Sequence, residues 1–224
     1  MTRGRAMFFW TALLAGGTYL PASWLLPHDA LIIAWKGAGV ALLALWAAIQ
    51  ARSLDGWLLV AVLALGAAGD VLLETAGLTT GALAFLAGHI VAILLYTRNL
   101  RPLSWAADAP IAIGRLLLIP ALAFVFPADR AAAPAIALYA TGLAAMAAIA
   151  WLSAFPRSRV SLGALLFAVS DLLIFARLGP LHGSILPDLL IWPLYFCGQA
   201  LIALGVVGVL GGGMGQGSPR RLRR

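Results

Sequence analysis

Eight long apolar runs separated by short breaks constrain this chain more than anything else in it. They fall at roughly 7–26, 30–50, 57–76, 79–97, 110–126, 132–153, 160–177 and 186–210. Helical runs of about 17–22 residues match the hydrocarbon thickness of a bilayer. The breaks, among them LLPHDA, ARSLDGW, TRNLRPLSWAADAP and FPADRAAAP, hold the Pro, Gly, Asp and Arg that end helices or form turns. With 63% hydrophobic and 10% charged residues, the chain cannot hide its apolar surface in one soluble core, where about 25% charge is usual. The expectation is an all-α fold, a polytopic membrane bundle of about eight transmembrane helices. It forms one domain over 1–210, followed by a flexible basic cytoplasmic tail at 211–224.

The net charge of +7 would suggest nucleic acid in a soluble domain. Here the arginines sit between apolar runs, so no nucleic-acid partner is expected. Arg3, Arg5, Arg52, Arg98, Arg101, Arg157, Arg159 and the arginines of the tail fall on one side of the membrane, and only Arg130 and Arg177 on the other. The positive-inside rule then places both termini in the cytoplasm, in what reads as a bacterial inner membrane. The run at 110–126 contains Arg115, which can snorkel to the interface. The first run is longer than the 7–15 residues, roughly, of a signal-peptide core and reads as an uncleaved helix. Cys197 is the one cysteine, which rules out an intramolecular disulfide. It reads as a small buried hydrophobe.

Asp70 and Asp171 each lie inside a bilayer-length run, in LVAVLALGAAGDVLLE and LGALLFAVSDLLIF. A carboxylate at that depth costs roughly 3 kcal/mol on insertion scales and usually faces a bundle interior or a wet cavity. Lys36, Glu74, His89 and Gln199 interrupt other apolar stretches. With both ends on one side, Lys36 lies near the outer end of the second helix. Asp70, Glu74 and Asp171 lie near the outer ends of the third and seventh. Tyr139, Tyr195 and Gln199 fall in the outer third to half of the sixth and eighth, and His89 near the middle of the fourth. At 1.5 Å per residue these groups share a slab roughly 10 Å thick, which predicts one intramembrane site. Plainer uses exist: Lys36 can snorkel or pair with a carboxylate, Glu74 can sit in interfacial water, and His89, Ser170 and Gln199 can bond neighbouring helices.

An internal repeat is legible. ALGAAGDVLLE and LFAVSDLLIF share a small-Asp-apolar-apolar pattern, and each precedes a helix with a polar residue, His89 and then Gln199. Two four-helix halves related by an axis along the membrane normal would account for it. A metal is not expected, because only one histidine is intramembrane and neither HxxxH nor HExxH occurs. No GxSxG, P-loop or dinucleotide fingerprint stands in a credible context, and no cofactor is expected.

GDVLLE around Asp70, Gly81-Phe85-His89 with Tyr96, Ser170-Asp171 preceded by Gly163 and Phe167, and Tyr195-xxx-Gln199 occur in this order in successive helices. With Lys36 in the second helix, the set resembles the YhhN family of eight-helix membrane proteins over about residues 30 to 205. Gly37 stands where the family lysine is usually followed by proline. Characterised animal members are lysoplasmalogenases, so the resemblance implies hydrolysis of the vinyl ether bond of a lysophospholipid. The products would be a fatty aldehyde and a glycerophospho-head group. That chemistry needs a protonated carboxylic acid and a base for water, as glycosidases do with two carboxylates. Asp70 and Asp171 suit those catalytic roles. Lys36, Glu74, His89, Tyr139, Ser170, Tyr195 and Gln199 would bind substrate or support them. The residues alone also fit a proton-coupled carrier of small molecules or lipids, or a non-catalytic lipid-binding protein.

Overall fold

The computed structural model describes residues 3–102 and 104–212. Among them the chain forms eight α-helices: α1 Arg3–Leu25, α2 Ala30–Ala48, α3 Leu54–Thr75, α4 Leu78–Thr97, α5 Trp105–Val125, α6 Ala133–Leu152, α7 Leu162–Arg177 and α8 Leu186–Gly212. A π-helical turn, Arg157–Ser161, leads into α7. Seven helical segments, from α2 onward, are long and apolar enough to cross a membrane, that of α7 including the π turn. α1 is less apolar, but its 23 residues span about 34 Å at 1.5 Å each. This is a polytopic helical membrane bundle. Most of the expected tail, from residue 213 on, lies outside the described residues.

Local chemistry sets the helix ends. Asp29 caps α2 by accepting from the backbone N–H of Leu31 and Ile32, and Ser53 caps α3 through Gly56. Such caps are worth about 1 kcal/mol each. α5 starts earlier than its hydropathy suggests. The Asp108 carboxylate accepts from the Ser104 N–H at 2.9 Å and closes the first turn ahead of Pro110. Arg115, at the midpoint of α5, does not end in water. Its Nη1 donates to Ala147 O at 2.7 Å and to Ser161 Oγ at 2.8 Å, so it ties α5 to α6 and to the start of α7. Cys197 is exposed on α8 rather than buried, because the inward face of that turn belongs to Tyr195, Phe196 and Gln199.

Consecutive helices run antiparallel and, apart from α4 and α5, pack as neighbours. The α4–α5 and α6–α7 connections meet on the face that carries both described ends, through a bridge between Leu100 and Ser153. The α5–α6 and α7–α8 connections meet on the opposite face, where Ala128 N donates to Leu178 O at 2.9 Å. We call this the distal face. α4 packs on α6 and α8 on α2, the two contacts that a two-fold along the membrane normal would exchange. The halves are not equivalent, because the α8 backbone also comes close to α1 and α3, whereas α4 meets α7 only through Phe85 and His89 against Phe167. α7 and α8 cross backbone to backbone: a Cβ on Gly163 would lie 2.5 Å from Gly198 O. That closeness fixes the register of Asp171 against Tyr195. Gly37 has a similar reason to lack a side chain, since a Cβ there would lie 2.7 Å from Val71 Cγ2 on α3.

Candidate active site

Asp70 and Asp171 line one cavity of about 360 Å³ that opens at the distal face. α3 brings Asp70 five residues before its end and α7 brings Asp171 six before its own, so both lie about 8–9 Å below the helix ends. Both are buried. Tyr195 of α8 donates its hydroxyl to Asp70 Oδ2 at 2.9 Å. Tyr139 of α6 donates to Asp171 Oδ2 at 2.7 Å. Among the described residues no arginine or lysine pairs with either carboxylate.

The charges gather higher, at the mouth. Lys36 Nζ pairs with Glu74, not with an aspartate. Glu74 Oε2 also lies 3.3 Å from His28 Nε2. Across the mouth, Arg177 Nη2 meets Asp188 Oδ1 at 2.9 Å. Tyr19, Trp24 and Trp192 close the wall nearest α1. Trp192 is buried, with its indole donating to Gly16 O at 2.7 Å, whereas Trp10, Trp24 and Trp57 are exposed on the bundle surface. Ser170 borders the cavity, but its hydroxyl is spent on Ile191 O at 3.0 Å and joins α7 to α8.

His89 and Gln199 are not at the wall of this cavity. They sit 11 and 13 residues into α4 and α8, about 16–20 Å from the distal ends and so a storey deeper than the aspartates. Phe85, Phe167 and Tyr195 stand between the two levels, their ring centroids 5.1–5.8 Å apart. Beneath them His89, Gln199 and Tyr96 border a second cavity of only about 10 Å³, roughly the room that one water needs. Both His89 nitrogens, the Tyr96 hydroxyl and Gln199 Oε1 are buried there without a hydrogen-bond partner among the described residues. One shared slab was thus too coarse: a single layer of rings, thinner than the slab, divides it.

Sequence reasoning placed Lys36, Glu74, Asp70, Asp171, Tyr195 and Tyr139 in one neighbourhood, and the bundle brings them together. It missed Tyr19, His28, Arg177 and Asp188. Arg177 and Asp188 flank the α7–α8 connection, and opposite charges across a short connection are a signal that could have found them. Tyr19 and His28 carry no such signal. Among the described residues no group of three His, Cys, Asp or Glu side chains is placed to hold a metal ion.

In comparisons with known proteins, the model of the YhhN family matches residues 31–206. No curated protein and no solved structure matches the chain.

Proposed function

The chain belongs to the YhhN family, and from that membership and the paired carboxylates we propose that it is a hydrolase of the vinyl ether bond of lysoplasmalogen-type lipids. The observation that carries the reading is that two buried aspartates, each held by one tyrosine hydroxyl, line one cavity with an ionic mouth. One carboxylic acid donates its proton to the alkenyl carbon, and the adjacent carbon becomes an oxocarbenium ion. The other carboxylate takes a proton from water as the water oxygen bonds to that cation. The hemiacetal then collapses: its hydroxyl proton leaves, the C–O bond to glycerol breaks, and the glycerol oxygen is protonated. One water is consumed, and a fatty aldehyde and a glycerophospho-head group are released.

The tyrosines orient the carboxylates, each through one hydrogen bond to Oδ2. The mouth carries both signs, Lys36, His28 and Arg177 against Glu74 and Asp188, which suits a zwitterionic phosphate head group. A proton-coupled carrier is the competing reading. Carriers commonly build such sites from broken helices, whereas α3 runs unbroken past Gly66 and Gly69 and α8 past Pro193. Following the arginine asymmetry, we place the distal face outside and both termini in the cytoplasm. Reporter fusions near Pro127 and at residue 224 should then report opposite sides. The decisive experiment gives purified protein a lysoplasmenyl lipid and measures released aldehyde. Turnover by the wild type supports the hydrolase; none, with coupled uptake into vesicles, gives the carrier.

A further inference from the structure

A third, apolar cavity of about 310 Å³ lies on the membrane-facing side of the site, between α4, α6 and α7. It exists because α4 and α7 both pack on α6 while their own backbones stay apart, and the two helices meet only deeper in the bundle, where Phe85 and His89 lie against Phe167. Its floor is Leu86, Ile136 and Phe175, and its rim includes Leu83 and Leu138, which are exposed on the bundle surface. Its few polar lining groups are Thr79, Tyr139 and Asp171. The last two are the hydrogen-bonded pair of the candidate site.

This wedge and the polar cavity adjoin. Leu73, Leu78, Phe85, Asp171 and Ile174 line both, so Asp171 stands where an ionic compartment meets a hydrocarbon one. A molecule occupying both would be ionic at one end and a hydrocarbon chain at the other, with its junction beside that carboxylate. We infer that the α4–α6–α7 wedge binds the single hydrocarbon chain of a lysophospholipid whose head group occupies the polar cavity. The inference deepens the hydrolase reading and rests on it for the identity of the lipid. One wedge holds one chain, so a two-chain phospholipid leaves its second chain unaccommodated. The chain reaches the wedge sideways from the bilayer between Leu83 and Leu138 and need not pass through the ionic mouth.

The test uses a probe that the proposed chemistry cannot cleave: a saturated alkyl-ether lysophospholipid carrying a diazirine at mid-chain. Wild-type protein is irradiated with it in detergent, and the adducts are mapped by peptide mass spectrometry. The expected result is labelling concentrated on residues 79–86, 135–139 and 174–178 and abolished by excess unlabelled lysophospholipid, but not by diacyl phospholipid. Labelling spread over the exposed faces of α1 and α5, or indifferent to that competitor, overturns the inference. A kinetic arm sharpens it. Ala82→Trp and Ala135→Trp, which narrow the wedge, should raise KM for a long-chain lysoplasmenyl lipid about tenfold by uncovering a few methylenes. A short-chain analogue should change less than about twofold. Equal changes for both lipids overturn the inference. If the wild type releases no aldehyde, the reaction is wrong while the labelling arm still reads the wedge.

Discussion

At the face that carries the start of α1 and the end of α8, Asp108 is as deeply buried as Asp70 is near the opposite face, each 2% exposed, yet the two are partnered very differently. Asp108 accepts four hydrogen bonds: two from Arg101, one from Arg157 and one from the Ser104 N–H. Arg157 in turn lies over the Trp151 ring, 3.6 Å from its centroid. Asp70 accepts one, from a phenol, and so does Asp171. The first arrangement neutralises a charge in order to fasten the α4–α5 and α6–α7 connections. The second leaves two carboxylates with spare acceptor capacity beside a cavity. Asp108 shows how this bundle surrounds a carboxylate that ties connections together, and the proposed catalytic role asks for the sparser setting of Asp70 and Asp171.

The largest effect tests the saturated side of this contrast. Asp108→Asn leaves Arg101 and Arg157 facing each other without a counter-charge, and breaking a buried pair of this kind costs about 3 kcal/mol. Thermal unfolding in detergent should show the loss, and unchanged unfolding would break the comparison. Next, Asp70→Asn and Asp171→Asn should each slow vinyl ether hydrolysis at least ~100-fold, about 2.7 kcal/mol of barrier. Their stability should stay within about 1 kcal/mol of the wild type. A variant that unfolds early but keeps its rate per folded molecule would move that aspartate into the class of Asp108. Tyr139→Phe and Tyr195→Phe remove the one donor to each carboxylate. We expect about tenfold slower turnover, about 1.4 kcal/mol, the upper end for an ordinary hydrogen bond. The smallest effect belongs to Glu74→Gln, whose partners His28 and Lys36 lie at the open mouth. Less than about 1 kcal/mol in kcat/KM is expected, and a loss as large as that of Asp70→Asn would make Glu74 a third catalytic carboxylate.

The sequence carried the bundle because hydropathy is a one-dimensional signal: each apolar run became a helix ending within a few residues of its Pro, Gly or Asp breaks. The depth of Asp70 and Asp171 could be counted off at a fixed rise per residue. What a single chain does not encode locally is which helix faces which. That Tyr195 would reach Asp70 and Tyr139 would reach Asp171 depends on α8 lying beside α3 and α6 beside α7, and residue counting cannot supply that. The same gap hid the partners of Arg115. The misplacement of His89 and Gln199 had another cause. Both lie on membrane-spanning helices, but the layer above them owes its closure to Phe85 and Phe167, which have no polar signature.

Arg115 also bears on how the bundle assembles. Its two acceptors lie downstream, Ala147 by 32 residues and Ser161 by 46, so when α5 leaves the ribosome its guanidinium has nothing to bond. An arginine at the centre of a lone helix weighs about 3 kcal/mol against insertion, and Pro110 and Pro120 weaken the same helix. The cost of that buried cation is therefore offset only once α6 and the start of α7 have joined α5, so these three helices reach their full stability in the membrane together.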